Sequence, residues 1–153
     1  MLLSGERTRD VGICRVTAKP ASWMRRIIDI FPYWQGQRPK FKLYFTALTK
    51  LTISSKYSVA IQFSNGDKTP ITTVLLQKLK KGATESFTVG NIPLVYTGDS
   101  FLIVDEELPN KRPLLDAQTV YMFHTTNRSW LSLTILAGLL AGIIAALGNW
   151  LID

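Results

Sequence analysis

The chain predicts an all-β sandwich, preceded by a short amphipathic helix and followed by one transmembrane α-helix. Three observations carry that reading. Apolar residues alternate with period two over much of 40–126, turn residues separate those runs at close intervals, and 130–152 is an uncharged apolar block. A length of 153 residues holds one domain and little more. Hydrophobic residues make up 46% and charged residues 19%, too apolar a balance for a disordered chain.

Residues 1–39 read as a basic lead-in. Residues 1–56 hold 11 basic and 3 acidic side chains, a net of +8, whereas the other 97 residues hold 7 and 8, a net of −1. The excess belongs to Arg7, Arg9, Arg15, Lys19, Arg25, Arg26, Arg38, Lys40 and Lys42. Anionic lipid headgroups attract such a segment, by about 1 kcal/mol per Lys or Arg near the surface. A solvated basic arm is the plainer alternative. Nucleic acid would attract it too, but ranks below the bilayer as a partner because 130–152 points to a membrane independently.

Within this segment, SWMRRIIDIF (22–31) is the helical candidate. Trp23, Met24, Ile27, Ile28, Ile30 and Phe31 fall on one side of a helical wheel, with Ser22, Arg25, Arg26 and Asp29 on the other. Ser22 caps the start and Pro32 stops it. Ten residues are too few for an isolated helix, so the apolar face must dock. The candidates are its own sheet, a partner protein, or the membrane interface with Trp23 inserted and Arg25 and Arg26 toward headgroups.

The sandwich is expected over 40–126. In KFKLYFTA, Phe41, Leu43, Phe45 and Ala47 alternate with Lys42, Tyr44 and Thr46; in KYSVAIQF, Tyr57, Val59, Ile61 and Phe63 alternate with Ser58, Ala60 and Gln62. Asn65-Gly66-Asp67 followed by Pro70 is a turn, and 71–76 a β-branched strand. Lys80-Lys81-Gly82 and Thr97-Gly98-Asp99 turn the chain into strands at 85–89 and 101–105, and 119–125 closes the set. About 85 residues are enough to close one small core.

The stretch LLQKLKKGATESFTVGNIPLVYTGDSFLIVD (75–105) resembles the immunoglobulin-like domains of the CARDB (cell-adhesion-related) type. There, a turn of leucine, two or so polar residues and glycine leads into an apolar strand, a loop, and a strand ending in Asp. The resemblance covers part of the chain and implies an immunoglobulin-like sandwich acting as a binding or spacer module without catalysis. The Cys–Trp–Cys core of antibody domains is absent. Such domains usually lie outside the cell behind a signal peptide, and MLLSGERTRD carries no apolar signal core.

From Trp130 to Ile152 the chain reads WLSLTILAGLLAGIIAALGNWLI, 17 of 23 residues apolar and none charged. As a helix it would be about 34 Å long, enough for a hydrocarbon core of roughly 30 Å. Trp130 and Trp150 are spaced to sit at the two interfaces, with Arg128 at the headgroups. Lys111, Arg112 and Arg128 precede the span and only Asp153 follows it, so the positive-inside rule expects the sandwich in the cytoplasm, as in a tail-anchored protein. Thr134, Gly138, Gly142 and Ala146 recur every fourth residue and make one helix face nearly smooth, suited to close packing with another helix, of the same or a different protein.

Catalytic chemistry is not expected. Asp105-Glu106-Glu107 reads as a solvated loop, His124 as a strand histidine and Cys14 as a packed thiol. One Cys and one His leave no zinc set, and no phosphate-binding or dinucleotide motif occurs, so no cofactor is expected. The expected function is a tail-anchored adaptor or accessory subunit of a membrane complex. A self-assembling membrane effector and an exported receptor-like domain of inverted topology are the alternatives.

Overall fold

The computed structural model describes residues 5–27 and 32–152, with backbone alone at Ile27 and over 128–132. Its strands are β1 (Gly5–Glu6), β2 (Arg9–Val11), β3 (Cys14–Pro20), β4 (Tyr33–Trp34), β5 (Lys40–Ala47), β6 (Ser55–Phe63), β7 (Lys68–Leu76), β8 (Thr84–Gly90), β9 (Gly98–Glu107) and β10 (Gln118–Thr126); its helices are α1 (Trp23–Ile27) and α2 (Arg128–Ile152). One sheet runs β1-β10-β9-β6-β7, with β4 parallel to β10; the other runs β2-β3-β5-β8. Their inner faces pack into a sandwich.

Each of the six segments expected as strands is one, β5 to β10. The sandwich also draws strands from ahead of residue 40. β3 pairs with β5 from Cys14 opposite Ala47 to Pro20 opposite Phe41. It buries Cys14, Val16, Ala18 and Pro20 while Arg15, Thr17 and Lys19 face outward. Arg15 and Lys19 are thus outward positions of an interior strand rather than members of a solvated arm, and Arg15 Nε holds Asp10 Oδ1 at 2.9 Å. β7 begins at Lys68, so Pro70 lies inside a strand. It is tolerated there because β7 is the sheet's edge and Pro70 sits beside the bulge after Val59.

Asp105-Glu106-Glu107 is not a solvated loop but the last turn of pleat in β9. The reason is a lid: residues 108–117 cross the outer face of the first sheet, and Leu114 closes over Ala60 and Ile103. Under it Asp105, only 3% exposed, accepts from Lys111 Nζ at 2.8 Å. Ser58 Oγ donates to Glu107 Oε1 at 2.6 Å. The lid explains why Ala60 and Ser58, expected on a polar face, are buried. Glu106 lies against Gly12, whose φ of +58° and lack of a Cβ both suit a glycine there.

The core is aromatic at both ends. Phe45 packs on Tyr57 and Phe87 at 5.1 and 5.8 Å. Phe41 packs on Tyr121 and Phe123 at 5.2 and 5.4 Å, and Tyr33 meets Phe123 edge-on at 5.3 Å. Cys14 is fully buried beside Tyr57, whose hydroxyl also donates to the Val11 carbonyl at 3.3 Å. The one buried side-chain oxygen without a hydrogen-bond partner among the described residues is Thr125 Oγ1.

Four groups hold their protons more tightly in the fold than outside it: Arg15, raised by its hydrogen bond to Asp10, and three that titrate at lower pH. Burial raises the Cys14 thiol above its ordinary 9.0, against a lowering hydrogen bond from Tyr57, with Glu106 adding a smaller upward push. Burial raises the Tyr57 phenol well above 10.0. The hydrogen bond to Asp105 raises Lys111. With folded values above unfolded ones, the unfolded chain sheds these protons first, so stability is complete below pH 9.0 and declines above it. Urea midpoints of the full chain should therefore stay level to pH 9.0 and then fall, and Cys14→Ala should move the onset up toward 10.0, where Tyr57 takes over. A midpoint that rises above pH 9.0 would contradict the assignment.

Candidate functional site

α2 is the first part of the site. It starts one residue after β10 ends, and its segment Leu133–Ile152 is the helix among the described residues that is long and apolar enough to cross a membrane, none of it buried against the sandwich. Gly138 and Gly142 have nothing within 4 Å of where a Cβ would stand, so their face is open. Thr134 and Ala146 lie along the same helix at the expected spacing, and Trp150 is exposed. Trp130 and Arg128 are in the helix, but their side chains lie outside the described residues.

The second part is the end of the sandwich from which α2 leaves. β10 reaches that end at Thr126, and the strand pairings place Pro20, Lys40, Phe63, Lys68, Gly90 and Gly98 there as well. The described connections of this end are therefore 21–27, 32–39, 64–67 and 91–97. They are tied together by backbone and side chains. Gln35 N donates to the Thr126 carbonyl at 2.9 Å, Gly36 N to Leu94 O at 2.7 Å, and Leu94 N to Gln37 O at 3.0 Å. Gln35 Nε2 donates to Val95 O at 2.8 Å. Tyr96 packs edge-on against Phe63 and donates its hydroxyl to Asp67. Trp34 pairs in register with Thr126.

α1 also stands at this end, and its Trp23 and Met24 do not dock on the chain's own sheet. Both arginines bond back to protein carbonyls, Arg25 half-buried and Arg26 exposed. Arg25 sits 3.7 Å above the Tyr33 ring and donates to Pro32 O at 2.9 Å, while Arg26 Nε donates to Pro20 O at 2.9 Å. The two apolar side chains described, Trp23 and Met24, turn outward, 70% and 56% exposed. A planar guanidinium satisfies a carbonyl and an aromatic face together, so cations rather than apolar side chains pin this helix. The described helix is Trp23–Ile27, opening with Arg26 N bonded to Ser22 O. Ile28 and Phe31 lie outside the described residues, as does the Ile27 side chain.

Lys111 and Arg112, which the sequence counts as flanks of the span, sit at the opposite end. β10 alone puts nine residues, roughly 30 Å, between that end and Thr126. The remaining chemistry is modest. His124 Nδ1 lies 3.1 Å from Asp99 Oδ1 on the outer face of β10, both partly exposed. No group of three His, Cys, Asp or Glu able to hold a metal occurs among the described residues.

No family model matches the chain, and no curated protein does. Solved structures with some likeness include a β-glucosidase from Listeria innocua with gluconolactone (TM-score 0.45, 10% identity), covering 73% of this chain and 16% of that one. The C-terminal domain of wzt gives a TM-score of 0.44 at 11% identity, covering 80% of this chain and 78% of that one. A β-D-glucoside glucohydrolase from Trichoderma reesei gives 0.37 at 11% identity, covering 78% and 19%. This chain thus spans under a fifth of either glycosidase. At these scores nothing about substrate or partner transfers to it.

Neighbouring side chains of β4 should separate fold from site. Tyr33→Ala removes a buried ring and should cost about 3 kcal/mol in chemical denaturation, whereas Trp34→Ala, next to it and partly exposed, should cost under about 1 kcal/mol. Equal losses would make Trp34 part of the core.

Proposed function

We propose that the chain is a non-catalytic, single-span membrane protein whose sandwich is an immunoglobulin-like binding or adaptor module, acting as an accessory subunit of a membrane complex. The observation that carries this reading is α2 itself, 25 residues leaving the sandwich with its Gly138 and Gly142 face uncovered. A helix so apolar on all sides is stable only in lipid or against other helices. Steps of four from Thr134 through Gly138 and Gly142 to Ala146 allow a second helix to approach at backbone distance. The two-sheet arrangement, with a spacer-like pattern over 75–105, supports the immunoglobulin-like assignment.

The sandwich is proposed to face the cytoplasm. With Lys111 and Arg112 at its far end, that orientation rests on Arg128 and on the basic character of 21–40. The small-residue face supports a protein partner more directly than a pore, because only Thr134 and Asn149 offer polar atoms along the apolar helix beyond Ser132.

The test is native mass after extraction in mild detergent through an N-terminal tag. A stoichiometric second protein is expected, and Gly142→Leu should disrupt its association while leaving the denaturation of the sandwich unchanged; a discrete homo-oligomer would overturn the accessory-subunit reading in favour of a self-assembling effector. A monomer in detergent and by crosslinking in the native membrane, or an assembly indifferent to Gly142→Leu, would overturn the proposal.

A further inference from the structure

We infer that the α2-proximal end of the sandwich is itself a membrane-binding surface, with Trp23, Met24, Trp34, Val95 and Tyr96 seated at the boundary between headgroups and acyl chains. The inference rests on reading α2 as a span and adds a second, peripheral contact to it.

Distance requires the proximity. Asn127 alone separates β10 from α2, and the uncharged apolar block opens at Trp130. The two helical residues between them, Arg128 and Ser129, rise about 3 Å. The headgroup layer on one side of a bilayer is about 5–8 Å deep, given a 30 Å core and 40–45 Å overall. The segments 21–27, 32–39, 64–67 and 91–97 therefore stand at headgroup level when Trp130 reaches the edge of the hydrocarbon.

The side chains exposed there suit that depth. Of the chain's four tryptophans, the three whose side chains are described, Trp23, Trp34 and Trp150, are all exposed. Two are in α2 and the other two, Trp23 and Trp34, are exposed at this one end, joined by Tyr96. Tryptophan and tyrosine favour the interface because an apolar ring carries a polar edge. At the far end the large exposed apolar side chains are aliphatic, Ile53 and Leu115 foremost. The acidic groups described near the loops are already engaged, Asp67 by Tyr96 and Asn65 and Asp99 by His124.

The surface is also preformed. Gln35 fixes the Val95 backbone, Asp67 and Phe63 fix Tyr96, and Arg25 and Arg26 fix α1 with its apolar residues outward. Arginines bonded to the protein's own carbonyls distinguish this arrangement from an amphipathic helix lying free on lipid, which would present both to phosphate.

Single-tryptophan versions of the full chain test this in proteoliposomes of phosphatidylcholine and phosphatidylglycerol, the remaining tryptophans replaced by phenylalanine. Chains retaining only Trp23, only Trp34 or only Trp150 are compared with one in which Ile53→Trp supplies the sole tryptophan. Lipids brominated near the top of the acyl chain should remove most of the Trp23 and Trp34 emission and leave that of Ile53→Trp intact. Acrylamide should do the reverse. Trp150 reports on α2: if no bromolipid quenches it, the span fails. If Trp150 is quenched while Trp23 and Trp34 stay open to acrylamide, the span holds and the present inference is overturned. Shielding of both from acrylamide without quenching by bromolipid would assign the surface to a protein partner and overturn it as well.

Discussion

Everything at the α2-proximal end depends on one aromatic cluster. Phe41 of one sheet packs against Tyr121 and Phe123 of the other, and Tyr33 adds its edge to Phe123. Edge-on and tilted ring contacts add about 0.5–1.5 kcal/mol each beyond area burial. The cluster thereby joins the two sheets and fixes β4 beside the end of β10. Tyr33 is the pivot, since its ring faces the core on one side and the Arg25 guanidinium on the other. Through that residue the core positions a helix made of five described residues, too short to hold its own shape.

Much of the sandwich was legible because half-buried strands write themselves with period two. Phe41-Leu43-Phe45 and Tyr57-Val59-Ile61-Phe63 needed no further context. β3 was missed although Cys14, Val16, Ala18 and Pro20 obey the same period, because its buried residues are small and its outward ones carry charge, so net charge outweighed alternation. Asp105 was misread for a different reason. Its environment is made by residues 108–117 folding back over the sheet, a tertiary event that no local pattern encodes.

The helical candidate shows where amphipathicity stops being informative. The wheel separates apolar from charged residues at 22–31, but it does not say which face the protein keeps for itself. Pro20 and Pro32 offer carbonyls, and Tyr33 an aromatic face, to whichever side carries arginine. Small-residue spacing in α2 is the opposite case, because Gly138 and Gly142 look the same in the sequence and in the structure, bare on one side.

The single residue between β10 and α2 makes the two behave as one lever. Thr126 is held by Gln35, and β10 is hydrogen-bonded on both sides, so a rotation of α2 about its axis has only Asn127 in which to dissipate. Helix packing that fixes the azimuth of Gly138 and Gly142 therefore also fixes the compass bearing of the sandwich above the membrane. Two copies joined helix to helix would bring two bulky sandwiches onto axes less than about 10 Å apart, where they would collide. A partner whose mass lies mostly within the bilayer meets no such obstacle.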